Sequence, residues 1–153
     1  MVILDNIRSA HNVGSIFRTS DGAGVSRILL GGYTPAPIDR FGREQPEITK
    51  TSLGATKTVP WESVAAEALG AKIKELQTAG FTIVAVEQAN DSVLLQDFSL
   101  QGKTCYIFGN EIEGVRSEIL NLSDTILEIP MQGHKESLNV GVSVGIVLFN
   151  ARP

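Results

Sequence analysis

"IPMQGHKESLNVGVSVGIVLFN", residues 129–150, runs from a strand-like ending through a polar loop into a stretch of helical length. That last stretch is apolar on almost every face, so it should be buried on all sides. Its longest apolar run, Val140 to Phe149, is too short and too punctuated by serine to span a membrane. Ser137 and Asn139 stand at its entrance, where free backbone N–H groups and the helix dipole favour polar or anionic partners. A cap accounts for Ser137. Gly141 and Gly145, four apart, leave room for a second backbone to pack closely, in this chain or in another copy.

Outward from this segment, four stretches read as buried strands: "RILLGG" (27–32), "FTIVAVEQ" (81–88), "TCYIFGN" (104–110) and "TILEIP" (125–130). "MVIL" at the start is a fifth. Helical patterns lie between them at 13–21, 62–79 and 116–122, with 137–150 last. Strands alternating with helices predict an α/β domain, a mostly parallel sheet covered on both faces. The least regular part is 33–57, which carries three prolines and the basic groups Arg40, Arg43, Lys50 and Lys57; a loop this long is either functional or disordered.

With 153 residues, 42% of them hydrophobic, the chain fits one domain with a real core. The start "MVILDNIRS" lacks the features of a signal peptide, and a lone Cys105 excludes an internal disulfide and a multi-cysteine zinc site. His11 and His134 lack metal-ligand spacing, so no metal is expected. Cytoplasm is the default location. The net charge of −4 argues against a general nucleic-acid-coating protein. The charge is uneven, however: residues 1–57 hold seven Lys/Arg against five Asp/Glu, and residues 58–153 six against twelve. A polyanion should therefore meet the N-terminal half.

Three segments could carry chemistry. In "HNVGSIFRTSDGAG" (11–24), Asn12 stands where an N-cap belongs and Gly22 where a helix should stop. Spacing places Arg18 opposite Val13, Ile16, Phe17 and Ser20, as a solvated arginine unless it faces a cleft or a subunit boundary. In "YIFGNEIEGV" (106–115), Gly109 would let a ligand approach the backbone beyond a strand end, with Glu111 at the rim. The third is the quoted segment. No dinucleotide fingerprint or phosphate loop is present, which disfavours a nucleotide-dependent oxidoreductase.

In order, "NVGSIFRTSDGAGV" (12–25), "IFGNEIEGV" (107–115) and "IPMQGHKESLNVGVSVGI" (129–146) closely resemble the three signature motifs of the SpoU (TrmH) family of RNA 2′-O-ribose methyltransferases, in the SPOUT superfamily. The resemblance covers nearly the whole chain. It implies a C-terminal deep trefoil knot, S-adenosylmethionine as cofactor, RNA (tRNA or rRNA) as substrate and a homodimer through the C-terminal helix. It implies a single catalytic domain over 1–153, without the N-terminal RNA-binding extension of many relatives. Arg18, Asn12, Glu111, Ser137 and Asn139 match the family's catalytic positions. Glu87, Gln88, Gly109, Ile129, Met131, Ser137 and Leu138 match cofactor-binding ones. RNA contact would come from Arg8, Arg40, Arg43, Lys50 and Lys57; the compact plan favours tRNA. Gly141 departs from the serine common in relatives. The competing reading is a catalytically silent knotted module that binds cofactor or RNA.

Overall fold

The structure is a computed structural model that describes residues 1–99 and 102–150. Seven parallel strands form one sheet: β1 (Val2–Asp5), β2 (Ile28–Gly31), β3 (Trp61–Val64), β4 (Phe81–Val86), β5 (Val93–Leu94), β6 (Lys103–Gly109) and β7 (Thr125–Glu128). Their order across the sheet is β3-β2-β1-β6-β4-β7-β5. The chain builds outward from β1 on one side and then crosses over to the other. β1 and β6 are in register from Val2 opposite Tyr106 to Asp5 opposite Gly109.

Alternate strand residues feed two cores. Val2, Leu4, Ile28, Leu30, Val84 and Phe108 face one side, under α1 (Ala10–Ala23), α2 (Pro46–Ser52), α3 (Ala55–Thr58) and α6 (Val140–Asn150). Ile3, Leu29, Ile83, Cys105 and Ile107 face the other, under α4 (Leu69–Thr78) and α5 (Ser117–Leu120). The five expected strands are present, and so is the two-faced parallel sheet.

Several expectations change. The segment 62–79 is not one helix: "WESV" pairs with β2 from Ile28 opposite Trp61 to Gly31 opposite Val64, a 3-10 turn covers Ala66–Ala68, and the α-helix starts at Leu69. The sheet edge offers that segment backbone partners, and pairing overrides its local pattern. The irregular 33–57 contains α2, which starts on Pro46, buries Ile48 and packs against α1. Helix α1 is capped by Ser9, whose hydroxyl accepts from the Asn12 amide at 3.2 Å, and ends at Gly24 rather than Gly22. Asn12 is thereby released from capping.

Helix α6 starts at Val140, and its cap is Asn139, not Ser137: Asn139 Oδ1 accepts from the amides of Gly141 (2.8 Å) and Val142 (3.4 Å). Val140, Val144, Val147 and Leu148 are buried, a single stripe at helical spacing. The opposite side is not: Val142 and Phe149 are each 50% exposed. Gly141 and Gly145 face α1 of the same chain, where an added Cβ would meet Ser15 and Thr19 at 3.8 Å, an ordinary contact, although at Gly141 it would also lie 3.2 Å from the capping Asn139 Oδ1. Among the described residues, no helix is long and apolar enough to cross a membrane.

Candidate active site

The carboxyl ends of β4, β6 and β7 and the segment leading into α6 surround a cavity of about 310 Å³. In open parallel sheets this end of the strands is where ligands gather. Its wall includes all seven cofactor candidates: Glu87, Gln88, Gly109, Ile129, Met131, Ser137 and Leu138, together with Glu111. Val86, Phe108 and Val140 add apolar surface.

The loop after β6 is folded tightly back on itself. A Cβ at Gly109 would lie 2.2 Å from Gly114 C and Val115 N, so only glycine fits. Backbone hydrogen bonds join Asn110 and Gly114 in both directions at 3.0 and 2.9 Å. The buried Asn110 side chain fills every role an amide has. Its oxygen accepts from the amides of Ile112 (2.8 Å) and Glu113 (2.9 Å). Its Nδ2 donates to the Asn6 carbonyl (2.9 Å) and to Tyr33 Oη (2.8 Å). Glu87 holds the loop from the other side, accepting from Val115 N at 3.0 Å and from Gln88 N at 2.9 Å. Its carboxylate is thus engaged in shaping the wall.

Arg116 anchors the far end. Its Nε donates to both oxygens of Asp5, at 3.0 and 3.1 Å, and Nη2 lies 2.9 Å from Oδ1. Asp5 is fully buried at the end of β1. Bonding to Asp5 raises the Arg116 guanidinium above its ordinary pKa despite partial burial. Sequence reasoning missed Asn110, Asp5 and Arg116. The only signal for Asp5 and Asn110 was a polar residue in, or just after, an otherwise apolar strand; Arg116, at the start of α5, had none.

A polar chain links the three motif segments. Glu111 accepts from Arg8 N (3.0 Å), Ser9 N (3.3 Å) and Asn12 Nδ2 (3.0 Å). Asn12 Oδ1 in turn accepts from Asn139 Nδ2 at 3.1 Å. Residues far apart in sequence therefore meet through Asn12, which lies 9% exposed at the start of α1. Ser137 is on the cavity wall but outside this chain of bonds.

Partial burial pushes the Glu111 carboxyl up, but the donors on Arg8, Asn12 and Ser9 outweigh it and hold the group below its ordinary value of 4.5. A depressed carboxyl stabilises the fold above its unfolded pKa, and that contribution disappears as pH falls through the folded one. In an acid titration followed by NMR, the Asn12 side-chain amide should shift with a midpoint below 4.5. The shift should vanish in Glu111→Gln; an unchanged titration in that variant would contradict the contact.

Arg18 stands apart from the cavity. It is exposed on α1, beside the seam where Ser15 and Thr19 face Gly141 and Gly145. Of the basic candidates, Arg8 is exposed at the cavity mouth, where its amide meets Glu111. Lys50 and Lys57 are exposed on α2 and α3. Arg40 and Arg43 lie on a hairpin, and Arg43 is ion-paired with Asp39 at 2.8 Å.

Comparison with known proteins bears on what this arrangement is. A 23S rRNA (guanosine-2′-O-)-methyltransferase RlmB from Neisseria meningitidis is 33% identical over 152 residues, covering 99% of this chain. The chain spans 57% of that relative's length. The crystal structure of the A. aeolicus TrmH/SpoU tRNA modifying enzyme matches with a TM-score of 0.84 at 31% identity, covering 99% of this chain and 72% of that one. An AdoMet-bound rRNA methyltransferase from Sinorhizobium meliloti matches with a TM-score of 0.85 at 30% identity, covering 99% and 54%. The model of the SpoU rRNA Methylase family matches residues 1–149, which include both asparagines, the glutamate between them and the whole cavity wall. The chain belongs to the SpoU rRNA methylase family.

Proposed function

We propose that this chain transfers a methyl group from S-adenosylmethionine to a ribose 2′-hydroxyl of RNA in the cytoplasm. The observation that carries the reading is the Asn139–Asn12–Glu111 chain, which gathers all three motif segments beside one cavity. Ribosomal RNA is the preferred substrate, because the curated relatives are named for it, over the transfer RNA that chain length suggested.

The cavity fits the cofactor on chemical grounds. Its volume of about 310 Å³ suits a nucleoside-sized ligand. Val86, Phe108, Ile129 and Leu138 offer apolar surface for a base, while Glu87 and Glu111 supply negative charge near a sulfonium. When bound, the cofactor brings an already activated methyl group. The protein's own task is to align the acceptor oxygen and manage its proton. Gly109 and Leu138 would hold the adenosine through backbone and apolar contacts, and Ser137 lies on the same wall. Glu111 fixes Asn12, and Asn12 fixes Asn139, so the entrance to α6 is held in place before substrate arrives. Arg18 stabilises the alkoxide that develops at the 2′-oxygen and contacts the adjacent phosphate, while the hydroxyl proton passes to solvent water.

Arg18 reaches that position from a second subunit. The apolar side of α6 around Val142 is exposed, and α1, which carries Arg18, packs on the same helix, so a homodimer through α6 would bury this side and bring Arg18 to the partner's cavity. The C-terminal segment threads as a trefoil knot, an exception to the usual rule against threaded chains; the family membership supports this path. Arg8, Arg40, Arg43, Lys50 and Lys57 face the RNA.

Incubation with tritiated S-adenosylmethionine and total rRNA or tRNA tests the reading. Label should appear in alkali-resistant dinucleotides, the signature of a methylated 2′-hydroxyl. Cofactor binding without any transfer would instead identify a silent module.

A further inference from the structure

Residues 33–45 carry two exposed aromatic rings that hydrophobic burial does not explain. Phe41 is 66% exposed and Tyr33 57%. Neither is a frayed loop residue. Phe41 sits at the tip of a hairpin closed by the Ile38–Glu44 bridge and by Gln45 N donating to Pro37 O at 2.9 Å. Asp39 organises the tip: its Oδ1 accepts from the amides of Phe41 (2.8 Å) and Arg43 (3.0 Å), and its Oδ2 takes Arg43 Nε at 2.8 Å. Gly42, at φ 77°, makes the reversal that a side chain would strain. The turn is thus built to hold a phenyl ring out in water.

The surroundings of the two rings indicate a ligand. The Arg40 and Arg43 guanidinium carbons lie 4.8 and 5.0 Å from the Phe41 centroid. Arg43 is committed to Asp39, whereas Arg40 has no ion pair among the described residues. Tyr33 is tethered at the other end of the segment: its hydroxyl accepts from Asn110 Nδ2 at 2.8 Å, and Asn110 lines the cavity. A ring fixed by its polar end at a cavity mouth and exposed over its face is a stacking surface.

We infer that Tyr33 and Phe41 are platforms for unpaired RNA bases, so that the acceptor nucleotide comes from a single-stranded or looped segment rather than from a duplex. Tyr33 takes the base of the acceptor nucleotide, Phe41 takes a neighbouring base, and Arg40 contacts phosphate between them. Stacking supplies affinity that net charge does not: every base has a π-face, and an acidic chain gains little from bulk phosphate attraction. Bases inside a helix are already stacked and cannot reach the rings.

This inference rests on the methyltransferase reading, and the two can fail separately. The experiment measures binding of the full chain to a labelled single strand of about twelve nucleotides and to the same sequence as a blunt duplex, at low salt. The single strand should bind more tightly. Phe41→Leu and Tyr33→Leu should each weaken it by about 5- to 150-fold, with Phe41→Trp close to wild type and S-adenosylhomocysteine binding unchanged in the two Phe41 variants. Equal affinity for strand and duplex, wild-type affinity in both leucine variants, or no binding of the strand at all would overturn the platform. If the leucine variants lose the strand while the wild type methylates nothing, the platform stands and the enzyme reading falls. Methylation by wild type and leucine variants at the same rate overturns the platform alone.

Discussion

Arg18→Ala should lower the rate of methyl transfer by about 100- to 1,000-fold, the usual cost of removing one group that stabilises developing charge. S-adenosylhomocysteine should bind as before, because Arg18 is not part of the cavity wall. The rate constant should fall more than the apparent affinity for RNA, since surface arginines share the phosphate contact but not the alkoxide. A co-expression experiment isolates the geometry. One subunit carries Arg18→Ala and the other Leu138→Trp, which fills the cavity. Each variant alone is strongly impaired, and the mixed dimer regains one working site if the arginine acts across the interface. A wild-type rate for Arg18→Ala would remove this residue from the mechanism, and absence of complementation would confine it to its own subunit.

Arg116→Met should cost about 3 kcal/mol, the low end for losing one partner of a buried ion pair. The low end applies because Arg116 is 23% exposed, although Asp5 has no exposure. For a domain of this size the loss corresponds to a fall in Tm of about 6–12 °C, measurable by thermal unfolding. The double variant Asp5→Asn with Arg116→Met should recover part of it, since no buried charge is then left alone. Cofactor affinity should also drop in the single variant, because the loop from Asn110 to Arg116 forms one wall of the cavity and is tied to β1 through this pair. Stability unchanged within a few tenths of a kcal/mol would show that water already shields the pair.

Much of this architecture was legible in the sequence, because buried parallel strands advertise themselves as short apolar runs. "TCYIFGN" and "FTIVAV" could hardly be anything else, and β6 and β4 pair side by side. "WESV" was read as helix because its half-exposed edge position asks for no apolar run; only the neighbouring β2 makes it a strand. Site residues followed a similar division. Glu111 and Gly109 were singled out for their place beyond a strand end, where they line the cavity, whereas the capping role expected of Ser137 falls to Asn139. Asn12 was read as a cap, and its release depends on Ser9 capping in its stead. Asn110 satisfies four partners on three separate segments, and spacing along one segment cannot reveal that. Arg18 is the converse case. Its own chain leaves it solvated, so the role proposed for it rests on family likeness and not on a single subunit's contacts.

The bond between Asn12 and Asn139 spans 127 residues. During synthesis the first asparagine leaves the ribosome long before the second is made, and β1 likewise waits for β6 to pair along its other edge. Such long-range closure comes late in folding. A nascent chain still lacking α6 would hold Glu111 and Asn12 together with the last link missing. The polar chain that joins the three segments is therefore complete only once α6 has been made and has docked against α1.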